Sequence, residues 1–189
     1  RTDAPAEAGP KPTAPEPIAA GDIPLRADAD ERFAQGVVQR AQGRDPSKKL
    51  GAELDALTAG IVKLAKVFDN EDLKQLAAIR LESLDNHWEF YQRELDRWRT
   101  RLDSTTSSYT EDAAELARRR GAWEATRQAM LTGGVTPALI DRVNVIIDQF
   151  TLAERALSRP LDEQLKLRRR ANSVQSSIDA GRKGVDTAI

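Results

Sequence analysis

Between residues 77 and 102 the apolar residues fall at Ala77, Leu81, Leu84, Trp88, Tyr91, Leu95, Trp98 and Leu102, a 4-3 alternation held for nearly four heptads. Only an α-helix gathers such positions on one stripe; a strand, with its period of two, scatters them over both faces. A stripe this narrow is the seam of one helix packed against another. Run from Glu71 to Ser104, the helix spans roughly 50 Å at 1.5 Å per residue.

The same spacing returns elsewhere. Asp45-Pro46 reads as N-cap and first helical residue, followed by Leu50, Leu54, Leu57, Ile61, Leu64 and Phe68. Thr136-Pro137 repeats that start ahead of Leu139, Val143, Ile146, Phe150, Ala153 and Leu157. A shorter first helix, capped by Asp28 or Asp30 and carrying Phe33, Val37, Val38 and Ala41, ends near Gly43. The polar run Ser104–Ser108 predicts a break, with Ser108 and Glu111 as a capping box for the next helix. On that helix Leu116, Trp123 and Met130 share a face interrupted by Arg120 and Arg127, and Gly133-Gly134 ends it. Pro160 predicts an interruption or kink, and Leu161, Leu165, Leu167, Ala171, Val174 and Ile178 a last helix.

No segment shows the alternation of a strand, and short connections favour antiparallel neighbours. The expectation is an all-α protein: an elongated antiparallel bundle of about five or six helices with coiled-coil-like seams. Its expected structural core comprises Leu57, Ile61, Leu64, Leu84, Trp88, Tyr91, Leu95, Trp98, Leu102, Trp123, Val143, Ile146 and Phe150. Six of the nine prolines lie before residue 25, where few large apolar residues offset ordering entropy, so residues 1–24 read as a disordered tether. The helical domain then occupies 25–180, and 181–189 form a tail leading towards a membrane region outside this sequence. The opening suits equally a mature exported chain whose signal peptide is gone and a trimmed fragment.

Composition narrows the chemistry. The 189 residues carry 29 Lys+Arg against 30 Asp+Glu, a net charge of -1, without the basic excess of a nucleic-acid binder. With no Cys and one His, thiolate metal sites, disulfides and cysteine nucleophiles are excluded. No apolar run approaches the about 18 residues a membrane span needs.

His87 is read as a surface residue beside the seam, since Asp85 and Glu89 lie off its helix face. Glu89–Arg93, Glu94–Arg97 and Glu115–Arg119 have the spacing of surface ion pairs rather than of a catalytic dyad. Trp88, Tyr91 and Trp98 share the leucine seam and read as core rather than as a stacking platform. Phosphate loops, dinucleotide fingerprints, nucleophile elbows and zinc-protease helices do not occur. The expectation is therefore no enzyme, with no catalytic, cofactor or metal residues. The triplets Arg118-Arg119-Arg120 and Arg168-Arg169-Arg170 fan around their helices and pair with nearby acids; Arg168, Arg169 and Arg170 are also candidates for charge near lipid headgroups.

Four stretches carry a resemblance. They are Ile23-Pro24-Leu25-Arg26-Ala27-Asp28, the Trp88…Tyr91…Leu95…Trp98…Leu102 helix, Trp123-Glu124-Ala125-Thr126-Arg127, and Pro160-Leu161…Leu165-Lys166-Leu167. Together they resemble the N-terminal helical domain of large bacterial mechanosensitive ion channels of the small-conductance type. The resemblance implies a periplasmic domain at the inner membrane, involved in osmotic stress, with the other subunits of a homo-oligomeric channel as partners, the membrane engaged through a downstream region, and no nucleic acid. Ion transport itself would reside in membrane helices that this sequence lacks. The alternative is a free-standing helical adaptor or scaffold that binds partner helices; a third reading is an extracytoplasmic sensor of a small ligand held between helices.

Overall fold

A computed structural model describes residues 14–43, 46–70 and 73–188, the side chains of 68–70 excepted. Among these residues there is no strand. Four α-helices, α1 (Ile23–Gln42), α2 (Pro46–Asn70), α3 (Ala78–Gly133) and α4 (Pro137–Ala188), are accompanied by 3-10 turns at Ala20–Asp22 and Leu73–Gln75. The chain is all-helical, but with fewer and longer helices than the five or six expected: α3 has 56 residues and α4 has 52.

Two expected breaks are absent. At Ser104–Ser108 the helix continues, because Thr105, Thr106 and Thr110 turn their hydroxyls back on the carbonyls of Arg101, Leu102 and Thr106 at 2.8–3.0 Å. A hydroxyl satisfied inside the helix has no need to cap a new one. The buried Leu102 and Tyr109 hold the seam on either side, and the capping box of Ser108 and Glu111 does not form a helix start. Pro160 likewise lies within α4, buried, without ending it. It removes one donor, the partner of the Ala156 carbonyl, but lies in the seam between Leu157 and Leu167, whose burial outweighs that loss.

The seams are consequently longer than read. In α3 the repeat runs Leu81, Leu84, Trp88, Tyr91, Leu95, Trp98, Leu102, then Thr105, Tyr109, Asp112, Leu116, Arg119, Trp123, Thr126 and Met130, each buried or half-buried. The polar members follow Leu116 and Trp123 by three residues; the sequence reading placed the interruption one residue later, at Arg120 and Arg127. In α4 the seam passes from Leu157 through Pro160 and Gln164 to Leu167, leaving Leu165 exposed and Leu161 half-buried, contrary to their expected place on the final face. In α1 the buried residues are Ile23, Ala27, Asp30, Ala34 and Val37, so Asp30 is not a cap but lies inside the helix.

Starts and stops signalled by proline and glycine agree better. α2 begins at Pro46, α4 begins at Pro137 with the Thr136 carbonyl accepting from Leu139 N–H at 3.1 Å, and α3 closes at Gly133 with Gly134 at φ 70°. That left-handed backbone suits glycine. The expected caps and seam ends Asp45, Phe68 and Glu71 lie outside the described residues or side chains.

The contacts divide the chain into two compact units. Unit 1 joins residues up to Gln35 with Ala114–Ala153, and unit 2 joins Gly36–Ala113 with Glu154–Ile189. In unit 2, Glu53 pairs with Arg101 at 2.6 Å, the Leu50 carbonyl accepts from Trp98 Nε1 at 2.9 Å, and Gly60 lies against Tyr91. From Leu50 with Trp98 to Gly60 with Tyr91 the α2 numbering rises while the α3 numbering falls, so these segments run in opposite directions. Asp103 with Arg168 and Gln92 with Gln175 give the same relation between α3 and α4. One cluster unites Leu50, Leu54, Ile61, Leu84, Trp88, Leu95, Trp98 and Leu102 with Leu167, Ala171, Val174 and Ile178, and Leu57, Leu64 and Tyr91 pack against it half-buried. Gly181 allows the closest approach, since a Cβ there would collide with the Trp88 indole.

In unit 1, α1 lies along α3, with Phe150, Ile146, Val143 and Trp123 in the core. The expected tether is ordered in its described part: Ile18 N–H donates to Thr126 Oγ1 at 2.8 Å, and α1 already starts at Ile23 with Pro24 in its first turn. At the other end, residues 181–188 are not a tail but helix, with Val185 fully buried.

Candidate functional site

The most deeply buried of the ion pairs described lies in unit 1. On α1, Asp30 occupies a seam position between Ala27 and Ala34, with its side chain 3% exposed. Its Oδ1 accepts from Arg119 at 2.8 Å and its Oδ2 from the Trp123 indole N–H at 2.8 Å, while Arg26 Nε stands 3.5 Å from Oδ2. A buried carboxylate is tolerable only with such partners. Arg119 comes from the seam of α3 one heptad below Thr126, so helical periodicity delivers it to Asp30.

Arg119 is held from three sides. Its guanidinium lies 4.0 Å from the Phe33 ring centroid, and its Nε donates to Glu115 Oε1 at 2.6 Å. Glu115 also receives two bonds from Arg118, at 2.6 and 2.8 Å. Arg118 first and Arg119 second hold the Glu115 carboxyl down to about 2, and Glu115 in turn raises Arg118. Alongside, Arg142 of α4 reaches Asp28 and Glu31 of α1 at 2.9 and 2.8 Å, and its own titration is pushed up chiefly by Glu31.

Beside this cluster a cleft of about 860 Å³ opens between residues 15–29 and α3. Pro15, Pro17, Leu25, Ala29 and Gly121 line it, with Arg26 and Arg118 among the charged residues there. The Pro15 ring packs over Gly121 at one wall of the cleft, where a Cβ would meet it at 3.2 Å. Among the described residues no three His, Asp or Glu groups gather as a metal site requires.

The residues singled out from the sequence fall as follows. Trp88, Trp98 and Trp123 are fully buried, as are Leu95, Leu102, Val143, Ile146 and Phe150, whereas Leu57, Leu64 and Tyr91 are half-buried. His87 is exposed, its Nδ1 2.7 Å from the Ser83 carbonyl. Glu89–Arg93 and Glu94–Arg97 form surface pairs at 3.4 and 2.7 Å. Arg168 pairs with Asp103 and Arg170 with Asp55, both across helices, while Arg169 is exposed. Two of these three cationic groups are thus engaged with acids within unit 2.

The sequence reading missed Asp30 as a core residue and Arg119 as its partner. The signal was present: Ile23, Ala27, Asp30, Ala34 and Val37 have 4-3-4-3 spacing, and a carboxylate in such a slot demands a cation in the facing one. It also missed Gln164, 1% exposed, whose amide has no hydrogen-bond partner among the described residues.

No family model, curated protein or solved structure matches this chain.

Proposed function

We propose that this chain is a non-enzymatic structural and modulatory domain of a mechanosensitive ion channel, on the periplasmic face of the bacterial inner membrane. The observation that carries the reading is the continuity of the seams. α3 holds one seven-residue repeat from Leu81 to Met130, and α4 holds one from Val143 to Val185. Long helices with filled seams suit a part that braces neighbouring subunits, and opposed α2–α3 and α3–α4 directions in unit 2 favour antiparallel bundle packing there. The channel part of the proposal rests on the resemblance of the Trp88…Leu102 and Trp123–Arg127 stretches to those of such channels. Modulation follows if the domain contacts its neighbours differently in closed and open states, because only differential contacts shift a gating equilibrium. Among the described residues no helix is long and apolar enough to cross a membrane, so the pore belongs to other segments of the proposed channel.

Deletion of residues 23–180 from the full-length protein tests this. The expected result is a shifted tension threshold in patch-clamp recordings or an altered subunit assembly. Unchanged gating together with unchanged assembly overturns the channel reading and leaves the free-standing scaffold.

A further inference from the structure

We infer that residues 14–35, the leader and the N-terminal part of α1, form a releasable strap that opens from the rest of unit 1 while that remainder stays folded. The first ground is how little apolar surface the strap buries. Its fully buried seam residues are Ile23, Ala27, Asp30 and Ala34, of which only Ile23 is a large aliphatic. α4 contributes Val143, Ile146, Ile147 and Phe150 to the same unit. Apolar stabilisation scales with area removed from water, so the strap is the weakly anchored partner.

The second ground is that the strap is held mainly by polar bonds. Ile18 N–H to Thr126, Asp30 to Arg119 and Trp123, and Asp28 and Glu31 to Arg142 are its tethers, with Phe33 stacked beneath Arg119. Groups of this kind regain water when they separate, so their net hold is far below their strength in isolation. The cleft beneath Pro15, Pro17 and Leu25 already admits solvent to the underside of the strap.

The third ground is that most of the surface left behind is already satisfied. Thr126 Oγ1 donates to the Ala122 carbonyl at 2.7 Å, and Arg119 keeps Glu115 at 2.6 Å. Of the α3 groups that bind the strap, only the Trp123 indole N–H is left without an acceptor. A segment with few buried apolar contacts is the kind that opens locally; its tether from Asp28 to Arg142 is exposed, those of Ile18, Glu31 and Asp30 are part-buried or buried, and the groove is built to survive the opening.

The chain contains no cysteine, so a single introduced thiol reports on its own site. Ala27 on the strap and Ala153 on α4 are both 0% exposed. In the full 189-residue chain, the thiol of Ala27→Cys should react with an aromatic disulfide reagent at least about tenfold faster than that of Ala153→Cys. Adding Asp30→Asn should accelerate the first by a further factor of about ten to a hundred, the range for losing charge-assisted bonds, and leave the second unchanged. Equal rates at the two positions, or equal acceleration of both, overturn the strap, because opening would then be global unfolding. If Asp30→Asn does not fold, Thr126→Val, which removes the acceptor for Ile18 N–H along with the hydroxyl's own bond to the Ala122 carbonyl, takes its place. Selective acceleration at Ala27→Cys supports the strap, and parallel acceleration or none overturns it.

Discussion

The stretches of α3 before and after Leu102 use their seams differently. From Leu81 to Leu102 the seam of α3 is apolar at every position, and Trp88 and Trp98 fill it against α2 and α4. Beyond Leu102 every second seam position is polar: Thr105, Asp112, Arg119 and Thr126, while Tyr109, Leu116, Trp123 and Met130 remain core. The apolar half gains stability chiefly by burial, with Trp98 Nε1 satisfied by the Leu50 carbonyl. The polar half demands specific partners, Asp112 taking Arg40 in unit 2, and Arg119 and Thr126 taking Asp30 and Ile18 in unit 1. One stretch of seam therefore supplies bulk stability and the next supplies registration, the use to which polar seam positions are most reliably put.

The largest test of that contrast is Trp98→Ala in unit 2, expected to cost about 3–5 kcal/mol in urea denaturation through the cavity it leaves. A loss below about 1 kcal/mol would show that the apolar seam does not anchor unit 2. In unit 1, Asp30→Ala should cost about 3 kcal/mol by leaving Arg119 without its buried counter-charge and the Trp123 N–H without an acceptor. The double replacement Asp30→Leu with Arg119→Met should recover most of that loss; a double variant as unstable as Asp30→Ala would mean the pair contributes more than specificity.

Next comes Gly181→Ala, whose Cβ would meet the Trp88 indole and should lower stability by about 2 kcal/mol through overpacking. A neutral result would show that α3 and α4 can separate there without strain. The smallest effect concerns Glu115, whose carboxyl is held at about 2 against an ordinary 4.5. A depressed carboxylate adds stability that is complete above its unfolded value and is lost as pH falls from about 4.5 towards 2. The site is partly open to water, with 31% of the side chain exposed, so its share is on the order of 1 kcal/mol. Glu115→Gln should flatten the acid limb of a stability–pH profile by that amount, and an unaltered limb would remove Glu115 from the charge cluster.

Much of the fold was legible because helical periodicity is local. The seams around Trp88 and Phe150, the Pro46 and Pro137 starts and the Gly133-Gly134 stop follow from spacing and backbone preference. Misreadings arose where a local signal competed with burial further along the chain. Ser104–Ser108 has the composition of a break, but its threonine hydroxyls bond within the helix. Pro160 lacks a donor, but its neighbours in the seam are buried. Asp30 looks like a cap because aspartate prefers caps; only the arrival of Arg119 and Trp123 makes it a core residue.

Residue order by itself determined that this chain is helical, which stripes face inward and where glycine and proline turn it, since each depends on neighbours within a turn or two. Tertiary structure alone decided how far the helices run and which charge meets which. A marginal helical segment persists, and a buried carboxylate is stable, only when residues distant in the chain supply the packing and the counter-charge.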